Sequence, residues 1–93
     1  MIKSFKCKET AKIWDIDDSR RFPVDIVKRA IIKLAMLNRS ATLHDLSAPP
    51  SNHLEKLSGD REGQLSIRIN DQFRVCFRWI DNCAEDAEIV DYH

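Results

Sequence analysis
The chemistry-bearing residues of this chain gather in its last third, GDREGQLSIRINDQFRVCFRWIDNCAEDAEIVDYH. Arg68 sits in one segment of alternating character, and Arg74 and Arg78 in the next. An arginine held on a strand presents a planar fork of N–H donors that fits a phosphate. The segment closes on Asp91-Tyr92-His93. A histidine exchanges protons near neutrality, its unperturbed pKa being about 6.5. Glu55 adds a carboxylate and Arg61 a further cation in a turn flanked by Gly59 and Gly63. Cations for a crowded phosphate, a carboxylate and an imidazole are the parts that phosphodiester chemistry needs.

The elements that must position them follow from periodicity. Met1–Lys6 alternates apolar and polar and predicts a short strand. Residues 8–16, with Ala11, Ile13, Trp14 and Ile16, predict a helix broken at Asp17-Asp18-Ser19, which would cap the next element. Pro23 suits a helix start. Val27, Ile31, Leu34 and Leu37 then recur at helical spacing through Asn38. Residues 39–52 read as a connector, stopped by Pro49-Pro50. His53–Leu57 is a short strand candidate, and Asp60–Glu62 a turn. Gln64–Asn70 and Phe73–Ile80 alternate as a hairpin joined by Asn70–Gln72. A turn at Asp81–Glu85 leads to a last strand, Ala87–Tyr92. The class is α+β: an N-terminal strand and two helices packed on one face of a small, mainly antiparallel sheet. Residues 1–93 form one domain.

Side-chain alternation sorts the faces. Leu65, Ile67 and Ile69, with Phe73, Val75, Phe77 and Trp79, must face the helices. Arg68, Arg74 and Arg78 therefore share the opposite, open face. Such faces are commonly charged and solvated, so the pattern alone favours an ordinary sheet surface.

Composition narrows the classes. Lys plus Arg and Asp plus Glu both number 15, so net charge is zero, which argues against a general nucleic-acid binder. All the Lys and Arg lie in residues 1–80, while residues 81–93 are purely acidic. Cys7, Cys76 and Cys83 have no C-x-x-C spacing and read as reduced, with Cys76 a small core residue. No apolar run suggests a membrane span, and the N-terminal residues lack a signal-peptide pattern, so a cytoplasmic protein is expected.

The run Glu55–Gly63, then Ser66–Asn70, Phe73–Phe77 and Val90–His93, resembles the HigB branch of the RelE superfamily of bacterial toxins. The likeness covers essentially the whole chain. It implies the RelE-like fold and a ribosome-dependent endoribonuclease, or mRNA interferase, that cuts mRNA in the ribosomal A site and arrests growth. No metal or organic cofactor is implied. The implied partners are the ribosome with its mRNA, and a helix-turn-helix (HigA-type) antitoxin through which operator DNA is met only indirectly. By the same resemblance Arg74 is the phosphate-gripping arginine, Arg68 its companion, Glu55 the base and His93 the acid. Arg61, Arg78, Tyr92 and Lys56 are candidates for contact with RNA or the ribosome. The chain departs from those HigB relatives that carry histidine and lysine at the positions of Glu55 and Ser58. The competing reading is a non-catalytic protein on the same fold, acting with a DNA-binding antitoxin as a co-repressor.

Overall fold
A computed structural model describes residues 1–91. Helix α1 (Lys8–Ile16) buries Thr10 and Ile13, and ends where Asp17 turns left-handed. Helix α2 (Val24–Arg39) buries Ile26, Val27, Ala30, Leu34 and Leu37, one stripe at helical spacing. It starts behind Pro23 without a side-chain cap. Ser19 does not cap it: its hydroxyl accepts the backbone N–H groups of Arg21 (3.1 Å) and Phe22 (3.4 Å) and orders the loop instead.

The expected connector contains structure. Helix α3 (Leu43–Ser47) opens on a capping box, in which Thr42 Oγ1 accepts from the Asp45 N–H and the Asp45 carboxylate accepts from the Thr42 N–H. Those bonds to Asp45 hold its carboxyl below the usual range, the Ala41 and Thr42 N–H groups contributing most. A 3₁₀ turn follows at Pro50–Asn52.

Strands β1 (Glu55–Lys56), β2 (Leu65–Arg68), β3 (Phe73–Ile80) and β4 (Cys83–Asp91) form one antiparallel sheet in that order. Asn70 Oδ1 ties the β2–β3 turn by accepting the Gln72 and Phe73 N–H groups at 2.9 and 2.7 Å. Asp81 and Asn82 both have positive φ, as a two-residue hairpin of this hand requires. So β4 begins at Cys83, earlier than alternation predicts. The N-terminal segment is not a full strand. It runs parallel to β4 with isolated bridges at Ile2 and Phe5, and Ser4 Oγ takes the Asp86 N–H where β4 bulges.

Ile13, Leu34, Ile67, Val75 and Phe77 are fully enclosed between the helices and one sheet face. No helix of the described residues is long and apolar enough to cross a membrane.

The cysteines occupy different settings, which gives a direct check. All are free. Burial raises the Cys7 thiol, but hydrogen bonds from the Thr10 and Glu9 N–H groups and the Thr10 hydroxyl, with the Arg21 charge, outweigh it and leave the thiol below its usual value. Burial dominates at Cys76 and pushes its thiol up. Alkylation by iodoacetamide near neutral pH is expected to modify Cys7 first and Cys76 last, read by mass spectrometry of timed digests. Early modification of Cys76 in the folded protein would contradict this packing.

Candidate active site
Strand register lays the polar face out in rows. Glu55 pairs with Ser66, Ser66 with Cys76, and Cys76 with Glu88, so a row crosses the sheet from β1 to β4. In the next row Arg68 lies directly opposite Arg74. Like charges placed so are disfavoured, and a strand pair keeps them only where something else is gained.

This face is less open than alternation predicts. Ser66 and Cys76 are both 0% exposed. They are covered because long arginine side chains lie over them, and because residues 53 and 58–63 fold onto the sheet. Cys76 is thus buried, as its apolar surroundings predict, but beneath the cations rather than in the apolar cluster.

Arg74 is clamped. Its Nε donates to Ser66 Oγ at 2.7 Å, and its Nη2 to the His53 carbonyl. Its Nη1 makes no hydrogen bond among the described residues, so one edge of the fork is unspent. The clamp is fixed from behind. Asn52 is fully buried, donates to the Leu46 carbonyl at 2.9 Å and accepts from Lys33 Nζ at 2.6 Å. That anchors the 50–52 turn and hence the His53 carbonyl, whose residue adopts φ 44 as the chain leaves the turn.

Glu55 points to the same face, on the far side of Ser66 from Cys76. It is exposed, and its carboxylate makes no bond among the described residues. A carboxylate and a half-spent guanidinium thus flank one serine hydroxyl. Glu55 and Arg74 are on next-neighbouring strands and two residues apart in register, which sets their α-carbons roughly 12 Å apart, a gap their long side chains can narrow.

The other predicted residues divide. Arg68 joins this face but ion-pairs with the exposed Asp71. Arg61 reaches in from its turn and pairs with Glu88 at 2.8 Å, also donating to Gln64 Oε1 at 3.1 Å. Arg78 lies over Gly63, where an added Cβ would meet its Nη1 at 2.8 Å, and faces Asp86 at 3.8 Å. Lys56 is not brought to the face. It pairs with Leu65, on the opposite parity from Glu55, and lines a separate groove of about 410 Å³ with Leu43 and Trp79. Tyr92 and His93 lie outside the described residues.

Glu88 is the participant that sequence reading missed. Opposite Cys76 it sits on the arginine face, and it balances Arg61. The acid-rich run 81–91 was its only signal.

Known proteins share this sequence pattern and fold. Residues 3–93 match the family model described as the RelE-like toxin of the type II toxin–antitoxin system HigB. Toxin HigB-1 of Vibrio cholerae serotype O1 is 34% identical over 85 residues, 90% of each chain. Endoribonuclease HigB of Proteus vulgaris is 30% identical over 93 residues, the whole of both chains. Among solved structures, the YoeB–YefM complex from Staphylococcus aureus contains a chain of the same fold, with TM-score 0.62 and 20% identity, covering 100% of this chain and 98% of that one.

Proposed function
Because the chain belongs to the HigB-type family of RelE-like toxins from type II toxin–antitoxin systems, we propose that it is a ribosome-dependent endoribonuclease. It cuts mRNA in the ribosomal A site and is silenced by a helix-turn-helix antitoxin. The observation that carries the reading is Arg74, held by Ser66 and His53 with one edge unspent among the described residues, on the same sheet face as the Glu55 carboxylate, which no described residue pairs. A relative over the full length bears the name endoribonuclease, which supports the same reading.

The chemistry uses the chain's own groups. Glu55 takes the proton of a ribose 2′-hydroxyl, and the freed oxygen attacks the adjacent phosphorus. Arg74 and Arg68 balance the charge of the five-coordinate intermediate. His93 returns a proton to the departing 5′-oxygen, leaving a 2′,3′-cyclic phosphate. Arg61 and Arg78, each tied to a carboxylate on β4, shape the wall of the site. Tyr92 and Lys56 are contacts to RNA or ribosome outside the chemical step.

The test is to map mRNA 5′ ends after inducing the chain without its antitoxin, beside an Arg74→Ala control. New ends inside translated codons, absent in the control, are expected. A folded protein that yields no such ends would favour the co-repressor reading, in which the fold acts only through its complex with the antitoxin.

A further inference from the structure
Among the described residues β1 pairs with β2 only at Ser66 and Leu65, so the edge of β2 beyond Ser66 meets the 50–52 turn and faces α2 across a gap. A cleft of about 200 Å³ opens there, lined by Arg29, Ile32, Lys33, Ser51, Arg68 and Ile69. Three of these six residues are cations, and none is acidic.

Their donors are largely uncommitted. Arg29 makes no hydrogen bond or ion pair among the described residues. Lys33 spends one bond on Asn52, which leaves two of its three donors. Among the described residues Arg68 is held only by Asp71, whose side chain is 99% exposed and readily displaced. The charges feel one another: burial, then the fields of Arg29 and Arg68, lower the pKa of Lys33. An anion in the cleft would relieve that crowding. Ile32, 60% exposed, adds an apolar surface on which a sugar or base can rest.

Continuity with the Arg74 centre selects the occupant. Arg68 lines the cleft and is also the cross-strand partner of Arg74. Ser51 lines the cleft, and His53, two residues on, holds Arg74; their α-carbons are at most about 7 Å apart. A ligand seated in the cleft is therefore a short step from one gripped by Arg74. A single strand carrying a phosphate at each step fits both seats at once, whereas an acidic peptide has no reason to continue into the Arg74 centre.

We propose that the Arg29–Lys33–Arg68 cleft is a second phosphate seat, holding a backbone phosphate of the RNA strand that flanks the one held by Arg74. This rests on the RNA-cleaving reading above. It adds that RNA is gripped at two places, with α2 supplying half of the second.

The test reads binding, not cleavage. Fluorescently labelled single-stranded RNA with every 2′-hydroxyl methylated is titrated with the full chain across a salt series, followed by anisotropy. Arg29→Ala is expected to weaken binding and to lower the slope of log K against log salt by about 0.7, one phosphate contact on a single strand. Lys28→Ala removes the same charge from an exposed position on α2 outside the cleft, and should leave the slope in place. Lys33→Met is the second cleft variant, its melting temperature checked because Lys33 also holds Asn52. Equal slopes for Arg29→Ala and Lys28→Ala would overturn the proposal. So would displacement of the RNA by poly-glutamate that depends on Arg29 more strongly than RNA binding does, which would assign the cleft to an acidic protein segment. A wild-type chain that binds RNA through Arg29 but produces no cleavage on translating ribosomes would sink the nuclease reading alone.

Discussion

Arg74→Ala is expected to lower the single-turnover cleavage rate on programmed ribosomes by about 10²–10³-fold, the usual loss when one preorganised donor to a developing anion is removed. The loss should fall on the rate at saturating ribosomes more than on the concentration needed to saturate, because the guanidinium meets its greatest charge in the five-coordinate state. The clamp explains why lysine is a poor replacement. Arg74 uses Nε and Nη2 to hold Ser66 and the His53 carbonyl, while Nη1, unbonded among the described residues, is left for a phosphate. A lysine ammonium is a point charge with no second edge, so it must release the protein to meet the phosphate. Arg74→Lys should therefore recover only a small part of the loss. Since Arg74 also fastens residue 53 to β2, each variant needs its melting temperature, and Ser66→Ala serves as the companion. It removes the Nε partner but keeps the charge, and should cost far less activity than Arg74→Ala. If Arg74→Ala cleaved at the wild-type rate with the fold intact, the phosphate would be gripped elsewhere, and Arg68 would be the next residue to examine.

How far such a site can be read from sequence depends on which physical signal each part leaves. Strand β3 is legible to the residue, because Phe73, Val75, Phe77 and Trp79 alternate without interruption. Helix α2 is legible from its apolar stripe, and α1 from Ile13 and its neighbours. Helix α3 is not, because five residues are too few to show a period. Its only signature is the Thr42/Asp45 capping box, two polar residues inside a polar connector. The start of β4 is hidden by a bulge. Ala84 and Ala87 are both fully buried, a spacing of three that breaks alternation, and the chain absorbs the extra residue at Asp86 with φ 54. That same shift conceals Glu88, since extending period two from Ala84 assigns it to the wrong face. The opposed faces of Glu55 and Lys56 follow from alternation alone. The clamp on Arg74 has no sequence signature, because it depends on a backbone carbonyl placed by a buried asparagine.

The proton transfers should separate in the pH dependence. A base must be ionised to act, so its titration makes the acidic limb of a bell-shaped profile of rate against pH. An acid must hold its proton, so its titration makes the alkaline limb. Glu55→Gln, which keeps shape and loses the carboxylate, is expected to slow cleavage by about 10²–10⁴-fold, the range for general acid–base groups, and to flatten the acidic limb. His93→Gln is expected to cost a comparable factor and to flatten the alkaline limb instead. The assignment stands on which limb each variant removes, because a substitution that only loosens RNA would lower the whole curve without changing its shape. Glu55 suits this experiment because it is exposed, bonded to no described side chain, and on a two-residue strand at the sheet edge, so its replacement disturbs no buried contact. An acidic limb that survived Glu55→Gln would hand the base to another group. Asp91 is then the nearest candidate in sequence to His93; it already accepts from Gln72 at 3.1 Å. In that case the row from Glu55 to Glu88 would position RNA rather than move its protons.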